Sequence, residues 1–191
     1  CWAIALRGHG PAPATPDEMV WTQVAADAIA AAEYIADASG APVGAAGHSM
    51  GGAAVLAAAS RRPELFTALW AYEPIIFPPA EDLDLPPGTE LPAPENNPMA
   101  IGALRRRVAF PDRTTARTNF STKPPLNVFS AAAMEAYLTW GFTQANSGGD
   151  AGAAITLRCP PEVESRTYVE GSRHSLWNEV GTIRCPTTIA M

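Results

Sequence analysis

The first 77 residues predict an α/β fold, a partial parallel sheet with crossover helices, and the remainder predicts a mainly helical excursion from it. Three observations carry this. Apolar runs alternate with helix-periodic runs in the order strand, helix, strand, helix, strand, the pattern of parallel strands joined by helices. A glycine-flanked serine, Gly47-x-Ser49-x-Gly51, falls at a strand-to-helix junction. The character of the chain then changes at Pro78, with seven prolines in the 21 residues 78–98.

The elements follow in order. Trp-Ala-Ile-Ala-Leu at 2–6, stopped by Arg7-Gly8-His9-Gly10, reads as a short buried strand. Thr15, Pro16 and Glu18 supply an N-cap, a first-turn proline and a capping box for the next helix. Val20, Val24, Ala28, Ala31 and Ile35 give that helix one apolar stripe, and Gly40 is placed to stop it. Residues 42–46 form a second strand of small residues that runs into Gly47-His48-Ser49-Met50-Gly51-Gly52. An alanine-rich helix at 53–60 and a third strand at 65–72 complete the unit.

Residues 78–98 are too rich in proline for regular structure. Helices are predicted near 99–108, 130–142 and 161–169, the second with Met134, Tyr137 and Leu138 on one face as core residues. A last strand is predicted within 182–191.

Composition bounds the function. A chain of 191 residues with 47% apolar and 17% charged residues builds one ordinary core. The net charge is −6, and the one concentrated basic run, Arg105-Arg106-Arg107, reads as the solvated face of a helix. Nucleic acid and anionic membranes are therefore not expected as partners. The apolar run at 25–38 is interrupted by Asp27, Glu33 and Asp37, so no membrane span is predicted. Cys1, Cys159 and Cys185 are odd in number and stand in no Cys-x-x-Cys pair, which suits free thiols and a cytoplasmic location. No metal and no cofactor are implied.

Ser49 carries the chemistry. A serine on a sharp strand-to-helix turn holds its hydroxyl exposed, and the flanking glycines are expected because a side chain there would collide with the strand or helix. The following helix points its positive end at the site, and the Met50 N–H is placed to donate to an oxyanion.

The run Gly-His-Ser-Met-Gly-Gly at 47–52 closely resembles the nucleophile elbow of the α/β-hydrolases. Arg7-Gly8-His9-Gly10, Tyr72-Glu73-Pro74 and Arg184-Cys185-Pro186 with the following Thr-Thr-Ile-Ala match the order of that family's strand ends. The resemblance implies an α/β-hydrolase fold with a partial core at 1–77, a proline-rich linker and helical cap at 78–180, and a strand returning to the sheet at 181–191. It implies a hydrolase of small apolar esters or related acyl compounds, with Ser49 as nucleophile and a small-molecule substrate. Glu73 matches the place where haloalkane dehalogenase-type relatives carry the acid. His9 corresponds to a loop position, His48 to the elbow, and His174 precedes the last strand, so the base is expected downstream of Met191, with His174 a poor match. The strands that precede Cys1 in the family, and their oxyanion loop, are also missing, so the chain reads as the middle of a longer product. A truncated, non-catalytic fragment or binding remnant is the alternative. Cofactor-free haloperoxidases and carbon–carbon hydrolases share the elbow and form a third option.

Overall fold

A computed structural model of the chain describes residues 1–86, 88–145 and 154–191. Residue 87 and residues 146–153, within the stretch expected to form the cap, lie outside the described residues.

The first helical region divides in two. Thr15 and Glu18 form the expected capping box, but it closes only a 3₁₀ turn, Pro16–Glu18. The α-helix proper, α1, is Trp21–Ser39, with Val20 as its N-cap and Gly40 ending it at φ 70°. Its buried residues are Trp21, Val24, Ala25 and Ala32, so the stripe is turned from the expected one and Val20 lies outside the helix.

Strand β1 (Val43–His48) leads into helix α2 (Met50–Arg61), which crosses over to strand β2 (Phe66–Tyr72). The run of alanines in α2 is almost wholly buried together with Leu56. Small side chains let that helix lie close against β1 and β2, and α1 packs beside it.

The excursion between β2 and the last strand contains α3 (Pro98–Leu104), β3 (Ala109–Phe110), α4 (Arg113–Ser121), α5 (Ala131–Trp140), β4 (Phe142–Gln144), β5 (Ile155–Leu157) and α6 (Pro161–Gly171). Residues 78–98 hold two short 3₁₀ turns, Ala80–Asp82 and Pro94–Asn96, before α3 begins. The excursion is mainly helical, with an addition that the sequence did not signal. The three short strands form an antiparallel sheet in the order β3-β5-β4 around a second cluster of Phe110, Phe120, Met134, Leu138 and Phe142. Met134 and Leu138 of α5 are buried in it, as their spacing predicts, with Tyr137 packed against them.

Strand β6 (Thr187–Ala190) returns to the first sheet, giving the order β1-β2-β6 with both pairings parallel. In register, His48 lies beside Tyr72 and Tyr72 beside Ala190. The helices α1 and α2 cover one face. The other face shows Trp70 and Tyr72, 49% and 40% exposed, stacked at 5.9 Å between centroids.

Residues 2–6 are the clearest departure from expectation. They form no strand, and residues 2–5 are exposed. An apolar run supplies a face, but a strand also needs a ladder partner for its backbone. Among the described residues the outer edge of β1 is likewise unpaired, since β1 ends the sheet. Between the two lies an open apolar cavity of about 770 Å³, flanked by Trp2, Ile4 and Leu6 on one side and residues 43–46 on the other. No helix among the described residues is long and apolar enough to cross a membrane.

Candidate active site

The site is built at the C-terminal ends of β1 and β2. One residue, Ser49, turns the chain from β1 into α2, at φ 51° and ψ −118°. L-residues rarely adopt that backbone conformation, and holding one there costs about 1–3 kcal/mol. Backbone bonds on both sides hold it. The Ser49 N–H donates to Tyr72 O at 2.9 Å, and Ser49 O accepts from Ala53 N–H at 3.0 Å and from Ile75 N–H at 3.4 Å. The turn is therefore fastened both to its own helix and to the end of β2.

Gly47 is forced by the closeness of the turn. A Cβ there would meet the Gly51 carbonyl carbon and oxygen at 2.3 Å. Gly52 is also confined, with Gly47 O at 3.1 Å and Pro74 Cβ at 3.2 Å from where its Cβ would stand. Gly51 departs from expectation: nothing lies within 4 Å of its Cβ position, because it faces the cavity beside β1. Collision thus explains Gly47 and Gly52 but not Gly51.

The Ser49 side chain makes no capping bond to α2 and the residue is half-buried, so the hydroxyl is not consumed by the helix. Met50 is the first residue of α2. Its N–H is one of the helix's opening donors, with no carbonyl four residues back inside the helix. The positive end of the helix dipole adds to it.

Glu73 follows β2 and also has a positive φ, 44°. Its N–H donates to Ala190 O at 2.7 Å, which ties it to β6. Its carboxylate stands 3.6 Å from His48 Nε2. Both side chains are more than half exposed, and a pair so solvated contributes little to stability. The His48 ring stacks on Tyr72 at 5.4 Å. This His48–Glu73 pair was not foreseen; it follows from the parallel register, which sets the last residue of β1 beside the end of β2.

The other histidines are engaged elsewhere. His9 Nδ1 is 3.0 Å from Arg7 O, a contact within its own loop. The loop is anchored by Arg7, whose guanidinium forks onto Asp27 of α1 with two contacts of 2.6 Å. The His174 ring stacks on Trp21 at 4.2 Å, and its Nδ1 accepts the Leu176 N–H at 3.3 Å. A neutral ring with Nδ1 accepting carries its proton on Nε2. Burial pushes the His174 pKa below the ordinary histidine value, while the Ile75 backbone and the carboxylates of Glu179 and Glu170 pull it upward. Nε2 itself is buried and has no hydrogen-bond partner among the described residues.

The excursion reaches the elbow through α6. A Cβ at Gly171 would lie 3.4 Å from Ile75 Cδ1, and Ile75 is the residue that donates to Ser49 O. Gly8, at φ 74°, has Val163 of α6 so close that its own Cβ would stand 2.4 Å from Val163 Cγ1. Among the described residues no three His, Cys, Asp or Glu side chains gather in a way that would hold a metal ion. The three cysteines are free thiols.

The profile of the family described as "Alpha/beta hydrolase family" matches residues 1–180. No curated protein matches the chain. Among solved structures, the chain is similar to E-2-(acetamidomethylene)succinate hydrolase, with a TM-score of 0.68, 17% identity, and coverage of 96% of this chain and 59% of that one. It is similar to a peroxisomal alpha-beta-hydrolase from Saccharomyces cerevisiae, with a TM-score of 0.68, 19% identity, and coverage of 96% and 50%. It is also similar to the thioesterase domain from the curacin biosynthetic pathway, with a TM-score of 0.65, 20% identity, and coverage of 96% and 62%. The chain thus spans between half and about three fifths of the length of these structures.

Proposed function

The chain belongs to the alpha/beta hydrolase family, and from that premise we propose that it is the part of a hydrolase that carries the nucleophile, Ser49, for small apolar esters or related acyl compounds. The observation that carries the reading is the Ser49 backbone. A non-glycine residue is held at φ 51° between a strand and a helix, with its hydroxyl unused by the helix. Strain of this kind persists where the surroundings over-determine it, which is common at reacting residues.

In this reading the Ser49 hydroxyl gives its proton to a general base as its oxygen attacks the acyl carbon, the carbonyl electron pair moves onto the oxygen that the Met50 N–H receives, and collapse of that adduct expels the alcohol with the proton and leaves an acyl-serine that water hydrolyses. One such donor is worth about 3 kcal/mol of barrier. Glu73 is assigned the acid's place: it ends the strand beside the elbow and shares the elbow's positive φ. The base is assigned to none of His9, His48 and His174: the first is bound into its loop, the second stands solvated against Tyr72 with no hydrogen bond to Ser49 among the described residues, and the third offers its lone pair to the Leu176 N–H. Residues 78–180 act as the cap, with α6 fastened beside the elbow through Gly171 and Ile75. No metal or cofactor enters the scheme, and the substrate is a small molecule.

Hydrolysis of p-nitrophenyl esters of graded acyl length tests this. Turnover that Ser49→Ala abolishes supports it; turnover that Ser49→Ala leaves intact overturns it. A second reading, a non-catalytic fragment or binding remnant, is favoured by the unpaired edge of β1 and the open cavity beside it. It predicts a cooperative thermal melt with no Ser49-dependent turnover.

A further inference from the structure

The basic run Arg105-Arg106-Arg107 does not lie on a helix face. Arg105 is the C-cap of α3, and the next two residues lead on toward β3. There the run lines a cleft of about 460 Å³ between α3, α6 and the loop after α4, joined from the far side by Lys123. That volume is within the range of small-molecule sites.

The charge in this cleft is not balanced from within. Arg106 is neutralised by Glu164, a buried carboxylate 2.9 Å away, which also accepts from the Tyr168 hydroxyl at 3.4 Å. Among the described residues the other carboxylate-paired arginines lie elsewhere: Arg7 in the loop before α1, Arg61 and Arg62 at the end of α2, Arg113 and Arg117 on α4, and Arg166 and Arg173 on and just after α6. Among the described residues no carboxylate stands within ion-pair distance of Arg105, Arg107 or Lys123. Three uncompensated cations thus converge on one cleft of a chain whose net charge is −6.

Two of the three are held in position. The Arg107 guanidinium carbon lies 4.4 Å from the Phe110 ring centroid, and its Nε donates to Ala109 O at 3.0 Å. Lys123 Nζ donates to Asn119 Oδ1 at 2.7 Å. Each keeps further N–H donors that these contacts do not use. The floor beneath them is apolar, from buried Phe120 and Ala103 with Leu126 at the side.

We propose that this cleft binds an organic anion: a carboxylate or phosphate head received by Arg105, Arg107 and Lys123, with an apolar body lying on Phe120 and Leu126. Charged donors fix the head and bring an ionic-strength dependence, and the apolar floor contributes in proportion to the area it covers. The site is independent of the reading of Ser49, since none of its lining residues belongs to the elbow.

Calorimetric titration of the chain with octanoate, octyl phosphate and octanol tests the proposal. Saturable binding of octanoate or octyl phosphate, weakening with added KCl, is expected, and the stronger of the two identifies the head group. Octanol should bind at least about tenfold more weakly. Arg105→Gln and Lys123→Gln, both at exposed positions, should each weaken the anion by about tenfold, while Arg113→Gln on α4 should leave it unchanged. If a glutamine variant fails to melt cooperatively, the KCl dependence on the unaltered chain decides in its place. No saturable binding of either anion, octanol binding as tightly as octanoate, or affinity unchanged in the folded glutamine variants would each overturn the proposal.

Discussion

At the scale of single residues, the chemistry turns on Ser49 and its backbone. Replacing it separates two effects. Ser49→Gly relieves a strain of about 1–3 kcal/mol against a glycine entropy cost of about 1 kcal/mol, so chemical denaturation should show the variant equal to or more stable than the parent. Ser49→Ala keeps the Cβ and should show no gain. Equal effects of the two would mean that the φ of 51° stores no strain. His174 gives a pH test. Its folded pKa is depressed, so the unfolded chain takes up protons more readily as the pH falls below about 6.5, and stability contributed by the neutral ring is lost on that acid side. His174→Asn retains an acceptor for the Leu176 N–H without titrating, and should flatten the fall in melting temperature below that pH. The serine was legible in the sequence because glycine spacing encodes a backbone turn. The His48–Glu73 pair was not, because it depends on which strands become neighbours and in what register.

At the scale of elements, the glycines of the elbow make contrasting predictions. Gly47→Ala drives a Cβ to 2.3 Å from the Gly51 backbone, and neither partner can yield without opening the turn. A loss of several kcal/mol is expected, on the order of 3. Gly51→Ala meets open space and gains helix propensity of up to about 1 kcal/mol; urea melts should show no loss. Gly8→Ala combines a φ of 74° with a 2.4 Å approach to Val163 and should release α6 from the core, seen as faster amide exchange in α6 than in α2. The sequence revealed elements whose signals are local. The Thr15–Glu18 capping box and the Gly40 stop formed where they were read, and β1, α2 and β2 lie within a few residues of their expected places. It did not reveal α4, which buries only Ala116 and Phe120 and so shows no stripe. The strands of the excursion, two or three residues each, are too short for a period to be read.

At the scale of the molecule, the parallel pairing of β1 with β2 was legible from the alternation of strand, helix and strand, whereas the return of β6 to the sheet was implied only by the family resemblance. The covering of the sheet was not legible. Parallel sheets are ordinarily buried on both faces, whereas here Trp70 and Tyr72 stand exposed on one face and the edge of β1 is open. Trp70→Thr should therefore lower both dye binding to exposed apolar surface and concentration-dependent light scattering, with little loss of stability; unchanged scattering would place the sticky surface elsewhere. The most direct test of the central claim, that Ser49 is a positioned nucleophile, is covalent. Treated with a fluorophosphonate probe and mapped by peptide mass, the protein should carry the adduct on Ser49, and Ser49→Ala should carry none. Probe uptake confined to other residues, or uptake unchanged in Ser49→Ala, would contradict it.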